Sequence, residues 1–185
     1  MAGKGISMYL SFLLRHCPED LNLEMDIHGY VDVDTMIARI NARGKYHVSR
    51  QLLDEIVATD SKGRYRYSAD GTRIKACQGH SIPWVELELT YTAPPEFLYH
   101  GTTTEALEGI LETGAILRMK RHGVHMQADP EKAWKSARRW KGKHPVVLKI
   151  AAAEQAARGF LFGMSENEVW CCERVPVEFI REVIK

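Results

Sequence analysis

A chain of 185 residues with 45% apolar and 26% charged side chains has the composition of an ordinary soluble globular protein, either one domain or two small ones. The formal net charge of +1 argues neither for nor against a nucleic-acid partner. No stretch is long enough to span a membrane, and no repeat or low-complexity segment is present. Cys17, Cys77, Cys171 and Cys172 form no C-x-x-C pair, so neither a zinc site nor a disulfide framework is expected, and a reducing cytoplasm is. Residues 6–14 are apolar enough to resemble part of a signal peptide. They run into Arg15 and His16 without a small-residue cleavage site, so that reading is rejected.

In chain order, Ile6, Tyr9, Leu10, Leu13 and Leu14 have helical spacing, and Pro18 predicts an end near His16. Arg15 and His16 then sit in the last turn, where the helix end favours cations. They can serve a site there or simply cap the helix. Residues 29–34 read as a short extended piece leading to a second helix, marked by Met36, Ile37 and Ile40 and stopped by Gly44. Ser49 caps a third helix with Leu52, Leu53, Ile56 and Val57 inward. Residues 64–68 alternate with period two, Asp70-Gly71 turn the chain, and residues 72–76 return. Helices followed by a hairpin are the winged-helix arrangement. Tyr65 and Tyr67 share one strand face, and Arg64 and Arg66 the other, toward solvent or phosphate. Residues 1–81 are thus expected to form a winged-helix lobe, a common nucleic-acid-binding module, and residues 82–96 a connecting strand and linker.

Residues 84–89 alternate as a strand. Leu98-Tyr99-His100-Gly101-Thr102 is an apolar strand presenting His100 at its end, with Gly101 allowing close approach of a ligand. A helix follows with Leu107, Ile110 and Leu111 inward, ended by Gly114. Residues 118–122 form a loop, and residues 123–126 a short strand carrying His125. Pro130 opens a helix whose inner face carries Trp134, Ala137 and Trp140. The opposite face holds Lys135, Arg138, Arg139 and Lys141, which a solvated surface explains. Strands are expected at residues 145–150, 160–162, 169–172 and 183–184, with a helix over 151–157. Charge is uneven: residues 81–117 carry no Lys or Arg, whereas residues 118–143 carry nine against two carboxylates. The predicted class is α+β with mostly antiparallel strands, and no G-x-G-x-x-G supports a Rossmann fold.

The ordered set Leu14-Arg15-His16, Lys62-Gly63-Arg64-Tyr65, Gln78-Gly79-His80-Ser81, Leu98 to Thr102, Met119-Lys120-Arg121, Val124-His125-Met126 and Val169-Trp170 resembles the KptA-type RNA 2′-phosphotransferases. The resemblance covers nearly the whole chain in the family's order. It implies an ADP-ribosyltransferase-like lobe over residues 97–185 that binds NAD as co-substrate through His100, Gly101, Thr102 and His125, with no metal. It implies catalytic roles for Arg15, His16, Arg64 and Arg121, the last preferred to Arg118 on the Met-x-Arg spacing. The implied partner is tRNA-like RNA bearing a 2′-phosphate, and the implied state is a cytoplasmic monomer. In the implied reaction the 2′-phosphate attacks the nicotinamide ribose and expels nicotinamide. The ADP-ribose 2″-hydroxyl then attacks phosphorus, releasing 2′-OH RNA and ADP-ribose 1″,2″-cyclic phosphate. The chemistry independently calls for permanently charged arginines on phosphate oxygens and a histidine that moves a proton near neutral pH. Gln127 and Cys171-Cys172 depart from the family pattern near the NAD contacts.

The alternative is an ADP-ribosyltransferase acting on protein or on a nucleic-acid terminal phosphate. Glu166-Asn167-Glu168 mimics the E-x-E of arginine-specific toxins, but an exposed acidic turn explains it more simply. A regulator with a ligand-sensing lobe is a further, non-enzymatic alternative.

Overall fold

The computed structural model describes residues 2–86, 88–119 and 121–185. The chain divides into two compact units, Met1–Glu88 and Leu89–Lys185.

The first unit opens with α1 (Ala2–Arg15), which buries Ile6, Leu10, Leu13 and Leu14 along one stripe. The short strand β1 (Val31–Asp32) runs into α2 (Val33–Ala42), where the Asp32 carboxylate accepts from Thr35 N at 2.8 Å. Helix α3 (Arg50–Ala58) is capped in the same way, Ser49 Oγ accepting from Leu52 N at 3.1 Å. Strands β2 (Tyr65–Tyr67) and β3 (Arg73–Ala76) form an antiparallel hairpin around Gly71, whose φ of +72° suits a residue without a Cβ. β1 pairs with the far edge of β3, giving the order β1-β3-β2. Leu10, Met36, Ile40, Leu53 and Ile74 fill the core, each worth roughly 1.5–3 kcal/mol of burial. Tyr65 is buried with them and donates to Ser7 O at 2.6 Å, whereas Arg66 is exposed.

Residues 84–86 and 88–89 are irregular, not the strand their alternation predicts; Leu87 lies outside the described residues. Ile82 and Val85 are the residues that turn inward here, three apart instead of two. Glu86 N donates to Ile27 O at 2.6 Å, and Lys75 pairs with Glu88. This stretch therefore belongs to the first unit, which runs to Glu88 instead of closing at residue 81.

The second unit contains β4 (Thr90–Tyr91), β5 (Leu98–Thr103), α4 (Thr104–Thr113), β6 (Ala115–Leu117), β7 (Val124–Met126) and α5 (Pro130–Ala137). It continues through β8 (Pro145–Ile150), α6 (Ala152–Ala157), β9 (Gly163–Met164), β10 (Trp170–Cys172), β11 (Arg174–Pro176) and β12 (Ile180–Ile184). The sheet orders are β4-β9-β10-β7, β12-β8-β5 and β11-β6, and every pairing among the described residues is antiparallel. The fold class is α+β. Tyr99 and Gln127 exchange backbone hydrogen bonds of 2.8 and 2.9 Å, which tie β5 to the end of β7. Leu98, Met126, Leu148, Ile150, Phe162 and Phe179 form the core below them.

Several expectations are corrected. His100 lies inside β5, which continues to Thr103, so it is not at a strand end. Residues 160–162 are not a strand; Phe160 and Phe162 pack from a loop, Phe160 meeting Phe179 edge-on at 5.9 Å. The strand starts at Gly163, where the Leu89 side chain crosses so closely that a Cβ would meet it at 2.9 Å. Leu111 and Trp140 do not face inward. They are 61% and 65% exposed, because α4 uses only Leu107 and Ile110 and α5 ends at Ala137.

Candidate active site

In the first unit Arg15 is the last residue of α1, and His16 N still donates to Phe12 O at 2.9 Å. The segment Gln78-Gly79-His80-Ser81 returns against this helix end. Ser81 N donates to Arg15 O at 2.9 Å, and Ser81 Oγ lies 2.9 Å from His16 Nδ1. A hydroxyl on Nδ1 orients the ring so that a proton exchanged with a substrate passes through Nε2. Gly79, at φ +90°, lies next to the Arg15 side chain; a Cβ there would touch the guanidinium at 3.6 Å. Two motifs some sixty residues apart in the chain thus form one small structure. Arg64 joins it through the backbone, its carbonyl accepting from Cys77 N at 2.8 Å, one residue before Gln78.

Arg64 is itself held by Asp60. The carboxylate accepts from Arg64 N and from Arg64 Nη1, each at 2.5 Å, and its side chain is only 5% exposed. Sequence reasoning missed Asp60. The available signal was a carboxylate four residues before an arginine with Gly63, at φ +52°, between them.

In the second unit His100 Nδ1 donates to His125 O at 2.9 Å, which leaves Nε2 as a bare acceptor. Desolvation by burial holds the His100 imidazole below its usual range, against the His125 hydrogen bond and with help from the Arg121 charge. The ring is therefore neutral at physiological pH. Arg121 Nη1 donates to His125 Nδ1 at 3.2 Å, so His125 carries its proton on Nε2. His100, His125 and Arg121 form one hydrogen-bonded chain, with Thr102 two residues along β5 on the same strand face as His100.

Gly101 behaves differently from its expectation. Its Cβ direction is filled by α5, and an added Cβ would lie 2.1 Å from Ala133 O. The close approach it permits on that side is by a helix, not a ligand. Arg121 N donates to Arg118 O at 3.0 Å, so both arginines sit on one turn. Arg118 lines an open cavity of about 310 Å³ with Leu117, Met119, Glu173 and Arg174, while Arg121 turns to His125. Of the Met119-Lys120-Arg121 motif, Lys120 lies outside the described residues.

A second open cavity, about 260 Å³, is lined by Gln127, Asp129, Lys132, Met164, Glu168 and Trp170. Cys171 pairs with His125 across β10 and β7, and burial pushes its thiol up to about 12, so it stays protonated and unreactive. Glu166 and Glu168 are exposed on the tight turn between β9 and β10, with Glu168 Oε2 3.7 Å from Lys132 Nζ. Among the described residues no group of three or more His, Cys, Asp or Glu is placed to hold a metal ion. No described helix is long and apolar enough to cross a membrane.

Comparison with known proteins matches residues 3–174 to a family model described as RNA 2′-phosphotransferase, Tpt1 / KptA family. A "Probable RNA 2′-phosphotransferase" of Escherichia coli O6:K15:H31 (strain 536 / UPEC) is 43% identical over 176 residues, covering 94% of this chain and 92% of the relative. An "RNA 2′-phosphotransferase" of Escherichia coli (strain K12) is 42% identical with the same coverage.

Proposed function

Because the chain belongs to the Tpt1/KptA family of RNA 2′-phosphotransferases, a family of transferases, we propose that it removes an internal 2′-phosphate of the tRNA splice-junction kind, with NAD as the consumed co-substrate. In this reading the first unit is a winged-helix lobe for RNA and the second an ADP-ribosyltransferase-like lobe for NAD.

NAD supplies an electrophilic ribose carbon to the 2′-phosphate, with nicotinamide leaving, and then a 2″-hydroxyl that attacks phosphorus. The residues of the second unit suit such a ligand. His100 Nε2 is a neutral acceptor fit for a ribose hydroxyl, Thr102 offers a hydroxyl beside it, and Arg121 brings a fixed positive charge for phosphate oxygens. In the first unit Arg15 and Arg64 are assigned to the oxygens of the 2′-phosphate. His16, braced through Nδ1, takes the proton of the attacking hydroxyl and returns one to the leaving RNA oxygen.

The observation that carries the reading is that Arg15 and His16 are built into one structure with Ser81, held from both backbone and side chain. A plain helix cap needs no such brace. The test is to combine the protein with NAD and a 2′-phosphorylated oligonucleotide and follow nicotinamide and RNA together. Nicotinamide should appear in step with loss of the 2′-phosphate. Release of inorganic phosphate without nicotinamide would exclude NAD chemistry.

A further inference from the structure

Beyond the reacting groups, the surface formed by the end of α5 and the two turns after it has a character that the transfer chemistry does not use. Lys132, Lys135, Arg138, Arg139, Lys141 and Lys143 fall in twelve residues with no carboxylate among them, in a chain whose net charge is +1. Lys132 is matched by Glu168. Lys135, Arg138, Lys141 and Lys143 make no ion pair among the described residues and are exposed.

Aromatic rings are set among these charges. Trp134 is half-buried on α5 with the Arg138 guanidinium 5.1 Å from its ring centre. Trp140, three residues past the end of α5, is 65% exposed. A solvated charged face has no use for an indole standing in water, since the ring leaves its apolar surface unburied.

The presentation is fixed rather than slack. Arg138 N donates to Trp134 O at 3.0 Å, Trp140 N to Ala137 O at 3.4 Å, and Lys143 N to Trp140 O at 3.2 Å. Gly142, at φ +74°, closes the second turn. The segment is anchored at one side to β5, by the α5 backbone seated on Gly101, and at the other to the first residue of α4, Thr104 N donating to His144 O at 2.8 Å.

We propose that this face, with Trp140 as a stacking ring and Lys135, Arg138 and Lys141 as phosphate contacts, binds single-stranded RNA flanking the modified nucleotide. Cations tracking a sugar–phosphate chain, with an aromatic ring offered to a base, are the elements of sequence-tolerant single-strand binding. Protein ligands fit the face less well. An acidic peptide would satisfy the charges and leave the indole unused, and an apolar surface would bury the cations. The proposal extends the assignment of RNA as substrate and does not depend on NAD.

The test is fluorescence anisotropy with a labelled, unmodified single-stranded RNA of about twelve nucleotides, measured over a range of salt and without NAD. Trp140→Ala should weaken binding roughly 5- to 150-fold, the range for losing one stacked base, with the salt slope unchanged. Trp140→Phe, which keeps a ring, should stay close to wild type. The triple variant Lys135→Ser, Arg138→Ser, Lys141→Ser should reduce the slope of log K against log salt by about 2, at ~0.7 per single-strand phosphate. Wild-type affinity and slope in Trp140→Ala and the triple variant would overturn the proposal. So would equal losses in Trp140→Phe and Trp140→Ala, which would mean that the turn, not the ring, matters. Because the probe carries no 2′-phosphate, failure of NAD-coupled turnover would leave this result standing, and the reverse also holds.

Discussion

Among single residues, Asp60 and His100 have the most directly testable roles. Asp60 holds Arg64 by backbone and side chain at once while nearly buried. Asp60→Asn keeps the shape but removes the charge. It should cost roughly 1.5–3 kcal/mol of stability, the range for a charged hydrogen bond, and lower kcat/KM at least about tenfold by freeing the Arg64 guanidinium. Urea denaturation and steady-state turnover measure both. Full activity in a folded variant would remove Asp60 from the positioning of Arg64. His100 gives a pH dependence of known sign. Burial lowers its folded value below the unfolded one, so the unfolded chain binds the proton more readily. Its contribution to stability is complete above the ordinary histidine value of about 6.5 and is lost as pH falls through the lowered folded value. His100→Gln should therefore flatten the decline of the urea midpoint as pH falls below about 6.5. A variant curve parallel to the wild type would show that His100 does not contribute in this way.

At the scale of elements, the joint between β5 and α5 is the sharpest constraint. Gly101→Ala would place a methyl group 2.1 Å from Ala133 O, on a helix that cannot shift without moving its neighbours. The variant should lose at least about 2 kcal/mol, read as a lowered midpoint in chemical denaturation; near-wild-type stability would mean that α5 is free to move off the strand. That joint also marks the limit of what the sequence reveals. Helices α1 to α3 and the β2–β3 hairpin are legible because apolar spacing, caps and a turn glycine agree there. The short strands of the second unit are not. β4, β6 and β11, of two or three residues each, have no alternation long enough to read. Phe160 and Phe162 show an alternation that the core uses from a loop. Gly101 reads as a ligand-facing glycine because the helix that claims it lies some thirty residues further along the chain. In the site, local spacing leaves Arg15 and His16 open between a site and a helix cap, and it is the family resemblance that singles out Arg15, His16, His100 and His125. The Ser81 brace and the Arg121–His125 hydrogen bond depend on tertiary contact and cannot be read from spacing.

For the molecule as a whole, the proposed reaction divides into two steps with different demands. In the first, the 2′-phosphate is already a nucleophile and nicotinamide leaves neutral, so little proton transfer is needed. In the second, a hydroxyl must be deprotonated, a leaving oxygen protonated, and new charge on phosphorus balanced. His16→Ala, or loss of Arg64 or Arg121, should slow the second step more, by the ~10²–10⁴-fold typical of acid–base assistance for the histidine. RNA bearing ADP-ribose on its 2′-phosphate should then accumulate and separate on a gel. Variants that stop with unreacted 2′-phosphorylated RNA would assign these residues to binding or to the first step.

The central claim, that the chain couples NAD cleavage to removal of an RNA 2′-phosphate, is tested most directly by mass analysis of a single incubation. The protein is mixed with NAD and one of two oligonucleotides of identical sequence, with and without the internal 2′-phosphate. The account predicts nicotinamide and ADP-ribose 1″,2″-cyclic phosphate in equal amounts, together with 2′-OH RNA, from the phosphorylated oligonucleotide, and none of these from its partner. Nicotinamide released equally with both oligonucleotides, or phosphate removed with NAD left intact, would contradict it.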